Sequence, residues 1–177
     1  NPVQVVDGSG NPLSGVVGIS AGSAHTVYLK GDGTVWAAGV NNYGTLGDGT
    51  TTQRSNPVQV LDGSGNPLSG VVGISAGSSH TVYLKGDGTV LAAGRNDYGQ
   101  LGTPRISQYS WVIDHQVTPA LVPFPAYRTA ISLSMGAMHS CALLDDDSVW
   151  CWGENDEGQL GIGVSPGAYS DTDSWMR

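Results

Sequence analysis

The 177-residue sequence predicts an all-β protein made of repeated antiparallel sheets, and three observations support this fold class. The chain has 27 glycines, far above the usual ~7% and without a collagen period, which indicates many tight turns. Val, Thr, Ile, Tyr and Trp recur in short runs, whereas strong helix formers are scarce. A long stretch of the sequence also occurs more than once. Together these features predict a tandem array of short strands.

The repeat is nearly exact between residues 1–47 and 56–102, which are offset by 55 positions. Six pairs differ: Val6/Leu61, Ala24/Ser79, Trp36/Leu91, Val40/Arg95, Asn42/Asp97 and Thr45/Gln100. A diverged third copy appears when residues 25–47 are aligned with 139–161. A period of this length indicates that each unit is one supersecondary module. We therefore divide the chain into units of approximately 1–55, 56–117 and 118–177.

Each unit is expected to contain about four strands. In the first unit these are NPVQVV (1–6), GVVGISAG (15–22), HTVYLK (25–30) and TVWAAG (34–39). The last two flank Gly31-Asp32-Gly33, a strong hairpin signal because glycine accepts a positive φ. The hairpin is apolar on both faces, with Tyr28 and Trp36 on one face and Val27, Leu29 and Val35 on the other. Because such a sheet must be covered on both sides, we expect three four-stranded antiparallel blades of a β-propeller, an incomplete ring by themselves.

The segment AGSAHTVYLKGDGTVWAAGVNNYGTLGDGT (21–50) and its equivalents resemble the regulator of chromosome condensation repeat family, in its bacterial secreted or surface type. The family hallmark G-x-N-x-x-G-[QT]-L-G is matched at Gly39–Gly47, Gly94–Gly102 and Gly153–Gly161. The resemblance implies a β-propeller fold. Members of the family include a nucleotide exchange factor, an ultraviolet photoreceptor and a secreted β-lactamase inhibitor, so the resemblance constrains function less than fold.

Three blades alone would expose two apolar faces, whereas closed propellers have about 4–8 blades. The expected partners are therefore the chain itself, as a homo-oligomer or filament, or further blades of a longer chain. In the first case the N-terminal strand of one copy would complete the last blade of another.

Cys141 and Cys151 are expected to form a disulfide. Centring the third hairpin on Asp146 places them opposite each other, where the first copy has Val27 and Ala37. Opposed Cβ atoms lie ~4.5–5.5 Å apart, near the range a disulfide requires. The alternative is two buried thiols that fill a Val/Ala pair. Similar cysteine pairs occur in secreted bacterial members of the family, and a disulfide would indicate an oxidising compartment, hence an extracellular or cell-surface location.

Two sets of equivalent residues are interpreted as structural repeat positions: His25, His80 and His139, and Asn41, Asn96 and Asn155. Blades would hold the histidines apart, so buried, hydrogen-bonded imidazoles are favoured over a metal site. No metal and no cofactor are predicted.

Two other motifs are interpreted as structural. G-x-S-x-G at 18–22 and 73–77 matches a hydrolase nucleophile motif, but it recurs in each copy and no helix follows it. DGSGN at 7–11 and 62–66 resembles a calcium loop but lacks the glycine and glutamate that such a loop needs, so a turn is favoured. No catalytic constellation is therefore predicted, and the chain is not expected to be an enzyme.

The segments 103–117 and 162–177 leave their repeats at the same point and carry exposed-type aromatic residues. Insertions in repeat proteins cluster on one face and often bind partners. The candidate partner-binding residues are Tyr109, Trp111, His115, Tyr169 and Trp175. The alternative is that both segments fold down over blade edges or a subunit contact.

The formal net charge of −8, without any basic cluster, argues against nucleic-acid partners and anionic membrane surfaces. No apolar run approaches the ~18 residues of a membrane span, so membrane insertion is not expected. The favoured function is a non-enzymatic extracellular propeller acting as a structural or protein-binding scaffold. The alternative is a protein inhibitor or regulator that binds its partner through the 103–117 loop.

Overall fold

A computed structural model describes residues 1–104, 114–125 and 128–163, and every regular element in these ranges is a β-strand. The strands are β1 (Val16–Ala21), β2 (His25–Lys30), β3 (Val35–Gly39), β4 (Arg54–Gln59), β5 (Val71–Ala76), β6 (His80–Lys85), β7 (Val90–Arg95), β8 (His115–Val122), β9 (Ala130–Met135), β10 (His139–Leu144) and β11 (Val149–Gly153). All neighbouring pairs are antiparallel. The predicted all-β fold class is confirmed.

The strands form three separate sheets in chain order. The first sheet has the order β1-β2-β3-β4 and the second has the order β5-β6-β7-β8. The third sheet contains β9, β10 and β11, with β10 in the middle. The strand expected to open the third unit, at Thr118-Pro119, lies in β8 and pairs with β7 in the second sheet, so the described part of the third sheet has three strands instead of the expected four. Each sheet is thus a meander, as expected for a propeller blade.

The fourth strand of a sheet comes from the start of the next sequence unit. β4 contains the second copy of Asn-Pro-Val-Gln and pairs with β3, so that Gln59 lies opposite Trp36. The strand predicted over residues 1–6 is wrong for the first copy, which forms only an isolated bridge between Val6 and Pro12. The second copy forms β4 because it can pair with the edge of β3. No described strand lies beside the first copy, in which Val3 is 89% exposed.

The hairpin register agrees with the sequence pattern in all three sheets. Tyr28 lies opposite Trp36, and Cys141 lies opposite Cys151. The turn of the third hairpin has Asp147 at φ 65°, close to the 79° and 80° of the equivalent Gly33 and Gly88. The diverged copy therefore keeps the same turn without glycine at this position.

The hydrophobic core lies between the sheets. We call the face of the first sheet that carries Val27, Leu29, Val35 and Ala37 its forward face, and the opposite face, with Tyr28 and Trp36, its rear face. The forward face of the first sheet packs with Tyr83 and Ala93 on the rear face of the second. The forward face of the second sheet packs in the same way on the rear face of the third, where it meets Ala142 and Trp152. The three sheets are therefore stacked in one direction.

Candidate interaction surfaces

The same polar contact joins each pair of stacked sheets. His25 Nε2 lies 3.0 Å from Thr81 Oγ1, and His80 Nε2 lies 3.0 Å from Ser140 Oγ. Each hydroxyl donates its proton to a backbone carbonyl of the preceding sheet's loop, Thr81 to Thr45 at 2.9 Å and Ser140 to Gln100 at 2.7 Å. The hydroxyl oxygens therefore accept from the imidazoles, which must be protonated at Nε2. Each histidine links its own sheet to the hydroxyl of the next.

Burial keeps these two imidazoles neutral. Desolvation lowers the pKa of His25 to about 4 and the pKa of His80 to about 3, with the neighbouring histidines contributing further at His80. Among the described residues, the Nδ1 atom of His80 has no hydrogen-bond partner. An unprotonated Nδ1 is compatible with that environment, whereas a buried cationic N–H without an acceptor is costly. The histidines therefore hold the stack together as neutral donors.

The asparagine of the repeated hallmark organises the loop after the third strand. Asn41 Oδ1 accepts a hydrogen bond from Leu46 N at 2.9 Å, and the same bond recurs from Leu101 to Asn96 and from Leu160 to Asn155. In the first sheet the Asn41 amide also donates to Asp48 Oδ1 at 3.0 Å. The loop is thus built around one buried side chain.

In the first and second sheets the hallmark asparagine donates to an aspartate, but the two aspartates come from different parts of the chain. In the second sheet Asn96 Nδ2 donates to Asp114 Oδ2 at 3.1 Å, from just before β8. In the first sheet the acidic partner is Asp48, and its Oδ2 atom lies 2.8 Å from Arg54 Nη2. Burial raises the pKa of the Asp48 carboxyl, but hydrogen bonds from Thr50, Arg54 and Asn41 lower it further, so that the pKa lies below its usual value. In the third sheet Asn155 Nδ2 is buried and has no partner within the described part of the chain.

Replacing Asn41 with Ala is expected to lower the free energy of unfolding by about 2 kcal/mol. The change leaves the buried Leu46 N–H without its acceptor and removes the amide donor from Asp48. Urea denaturation followed by tryptophan fluorescence measures the effect. The neighbouring Asn42 is exposed, so Asn42→Ala is the matched control and should change stability little. Equal effects at the two positions would contradict the structural role of Asn41.

Among the described residues, no further sheet packs on the forward face of the third sheet. Val149 is 67% exposed, whereas the equivalent Val35 and Val90 are 0% exposed between sheets. On the rear face of the first sheet, Ile19 is 72% exposed, whereas the equivalent Ile74 packs against the first core cluster. Apolar residues that the internal contacts bury are therefore exposed at both ends of the stack. These two surfaces are the candidate binding surfaces.

Cys141 and Cys151 are joined by a disulfide, as their opposed positions in the hairpin predict. The pair occupies the place of Val27 and Ala37, which face the next sheet and are fully buried. The disulfide therefore belongs to the open forward face.

Removing the disulfide in the variant Cys141→Val/Cys151→Ala should lower the free energy of unfolding by about 2–3 kcal/mol. This variant reproduces the Val27/Ala37 pair of the first sheet, so the lost stability reflects the missing cross-link over 10 residues of separation rather than a cavity. Denaturation curves of the wild type with and without reductant provide the control. A variant as stable as the oxidised wild type would contradict a stabilising role for the bond.

The other predicted binding residues are placed only in part. Tyr109, Trp111, Tyr169 and Trp175 lie outside the described residues. His115 is the first residue of β8 and lies opposite Arg95 in β7, so it is part of a sheet edge.

A charged and aromatic group that the sequence interpretation did not identify lies beside this edge. The Arg95 guanidinium lies over the rings of Tyr43 and Tyr98, at 5.1 and 6.0 Å from their centroids, and Arg95 Nη2 lies 2.6 Å from Asp97 Oδ2.

Sequence interpretation also missed the hydroxyl partners of the histidines. The signal was present, because a threonine or serine follows the histidine in all three copies, at Thr26, Thr81 and Ser140. Thr26 lies in the first of the three described sheets, so its position is not among the two histidine-to-hydroxyl contacts.

Two further findings concern sites of other kinds. Within residues 1–104, 114–125 and 128–163, no group of three or more His, Cys, Asp or Glu is arranged to hold a metal ion. In the same residues, no helix has the length and apolar character needed to span a membrane.

Comparison with known proteins agrees with the stacked-blade geometry. Residues 32–84 and 87–143 match the regulator of chromosome condensation (RCC1) repeat, and a second description of that repeat matches 16–45, 71–100 and 130–159. The chain is 35% identical over 152 residues to the human E3 ubiquitin-protein ligase HERC2, covering 85% of this chain and 3% of that protein. It is 31% identical over 164 residues to the Arabidopsis thaliana ultraviolet-B receptor UVR8, covering 93% of this chain and 34% of the receptor.

The fold is also found in solved structures. Yeast RCC1 (Prp20) bound to Kap60 superimposes with a TM-score of 0.71 at 22% identity, covering 85% of this chain and 35% of that chain. The chain thus spans about a third or less of the length of these relatives. With matches over most of its length, the chain belongs to the regulator of chromosome condensation (RCC1) repeat family.

Proposed function

We propose that the chain is a non-enzymatic β-propeller scaffold that binds protein through the two open faces of its stack. The observation that carries the proposal is the exposure of Val149 and Ile19, at positions whose equivalents pack between sheets. Further propeller blades or another copy of the chain would cover both surfaces. Binding to a partner is also the property named for one relative, since yeast RCC1 was crystallised with Kap60.

The proposed location is extracellular or at the cell surface, as in the bacterial secreted members of the family. The Cys141–Cys151 disulfide supports this, because such bonds persist in oxidising compartments. The net charge of −8 supports protein rather than nucleic-acid partners. An inhibitor or regulator acting through the 103–117 loop remains the alternative proposal, and residues 105–113 of that loop lie outside the described ranges.

The test compares the wild type with the double variant Ile19→Asp/Val149→Asp, using sedimentation velocity and the fluorescence of the apolar dye bis-ANS. The proposal predicts that the wild type associates or, where monomeric, binds the dye, and that the double variant does neither. Both substitutions are at exposed positions, so the variant should fold. A monomeric wild type that binds no dye would show that the open faces are not binding surfaces.

A further inference from the structure

The first strand of every sheet carries one large apolar side chain that is exposed. These residues are Val17, Val72 and Ile131, which are 69%, 60% and 53% exposed. The exposure does not depend on the two ends of the stack, because Val72 belongs to the second sheet, which is covered on both faces. Since the three residues hold the same position in successive sheets, they form a repeated surface, unlike apolar residues scattered singly. We call Val17, Val72 and Ile131 the bulge row.

A β-bulge produces the exposure in each sheet. The pairing between the first and second strands skips one residue in every sheet, and the skipped residue is the member of the bulge row. Bulges of this kind redirect a side chain away from the regular alternation of its strand. The first strands are also neighbours across sheets, since Ala76 N in β5 donates to Ser20 Oγ in β1 at 3.0 Å and β5 also contacts β9. The bulge row therefore runs across adjacent sheets.

The row lies beside the hairpin turns, where glycine leaves it uncovered. A Cβ atom at Gly31 would lie 3.3 Å from Val17 Cγ1, and a Cβ atom at Gly86 would lie 3.4 Å from Val72 Cγ1. Side chains at these two positions would therefore pack over the valines. Their absence keeps the valines accessible.

Each of the same turns holds an exposed carboxylate in a fixed position. The equivalent residues are Asp32, Asp87 and Asp146, and their Oδ1 atoms accept a hydrogen bond from the backbone N–H two residues later, at 2.9, 2.9 and 3.2 Å. Hydrogen bonds from the hydroxyl and the backbone N–H of that threonine or serine lower the pKa of all three carboxyl groups. The carboxylates are therefore charged at neutral pH.

The basic groups at these turns are too few to balance the acidic ones. The three turns contain five aspartates, two of them added by the third turn, whose sequence is Asp145-Asp146-Asp147. Three basic side chains lie at the turns in the described part of the chain. Lys30 Nζ lies 4.8 Å from the centroid of the Trp36 ring, Arg128 Nε lies 3.1 Å from Asp146 Oδ2, and Lys85 precedes the second turn. The surroundings of the bulge row are therefore acidic.

We infer that the bulge row binds a segment of another protein in which aliphatic residues alternate with lysine or arginine. The aliphatic side chains pack on the row, and the cationic groups pair with the turn carboxylates. Charge complementarity favours this occupant over a second copy of the chain, whose net charge of −8 would be repelled. The row is a different surface from the two open faces of the proposed function, so the inference does not rest on what covers those faces.

The experiment measures the affinity of the full chain for a short fluorescent peptide in which valine alternates with lysine, by fluorescence anisotropy. Val72→Ser should weaken binding about tenfold, because a valine of the peptide loses its apolar partner. Leu121→Ser is the matched control. Leu121 is 58% exposed and lies in β8, at the opposite edge of the same sheet, so this variant should bind as the wild type does. Both positions are exposed, so both variants should fold.

A second pair of variants tests the charge of the surface. Asp87→Asn keeps an oxygen that can accept from Thr89 N but removes the negative charge, so binding should weaken about two- to fivefold, and by less at high salt. Asp156→Asn changes the net charge by the same amount in the hallmark loop of the third sheet, away from the turns. Its affinity for the peptide should stay that of the wild type.

Several results would overturn the inference. The wild type could bind no peptide, Val72→Ser and Leu121→Ser could bind alike, or a matched peptide with glutamate in place of lysine could bind as tightly. A native molar mass that falls in Val72→Ser would show that a second copy covers the row, which also contradicts a basic partner. None of these results decides the proposal for the open faces, which is tested at Ile19 and Val149.

Discussion

Lowering the pH from 7.5 to 5 should reduce the free energy of unfolding by about 4 kcal/mol. Burial lowers the pKa of His25 to about 4 and that of His80 to about 3, whereas an unfolded histidine has its ordinary value near 6.5. Below pH 6.5 the unfolded chain therefore takes up protons that the folded chain does not, and stability falls as the pH falls. At pH 5 each histidine accounts for about 2 kcal/mol of the loss.

Urea denaturation at one protein concentration across this pH range measures the loss. The variant His25→Gln/His80→Gln is the control, because glutamine can donate a hydrogen bond but does not titrate, and its stability should depend less on pH. Proton NMR of the wild type supplies a second measurement, in which the imidazole signals of His25 and His80 should not titrate above pH 5. A pH-independent free energy of unfolding would contradict the buried neutral histidines.

Replacing Gly77 with Ala should lower the free energy of unfolding by about 3 kcal/mol or more. A Cβ atom at this position would lie 2.1 Å from His80 Cε1 and 2.8 Å from the carbonyl oxygen of Gly136 in the next sheet. His80 cannot turn away without losing its bond to Ser140, so the added methyl group displaces the contact between the second and third sheets. Chemical denaturation measures the change.

Gly63→Ala is the matched control for this substitution. No heavy atom lies within 4 Å of a Cβ built at Gly63, which also does not have a positive φ. Its stability should therefore stay within about 0.5 kcal/mol of the wild type. Similar losses for the two variants would show that the close approach of Gly77 and His80 does not hold the sheets together.

The parts of this fold that depend on neighbours in sequence could be predicted from the sequence. Period-2 alternation around Gly31-Asp32-Gly33 fixes which residues face each other, so the pairing of Cys141 with Cys151 followed from counting. The strand predicted over residues 1–6 does not form, because the same residue sequence becomes a strand only where the edge of another strand is available for pairing. β4 has that edge in β3, and composition carries no information about it.

The polar contacts between sheets and within the hallmark loops were harder to predict because their partners lie far apart in the chain. The threonine and serine that follow each histidine looked like ordinary strand residues, and only the stack shows that each accepts from the histidine of the previous sheet. The acidic partners of the hallmark asparagines lie 7 residues away at Asp48 and 18 residues away at Asp114. Such variable spacing gives no repeated signal in the sequence.

The most direct test of the account is the native molar mass of the 177-residue chain, measured by light scattering over a range of concentrations. The proposed function predicts a mass above 18.2 kDa that falls on dilution or, where the mass stays at 18.2 kDa, binding of bis-ANS at the exposed apolar faces. A mass of 18.2 kDa at every concentration together with no binding of bis-ANS would contradict it, because the exposed apolar positions would then bind neither protein nor dye.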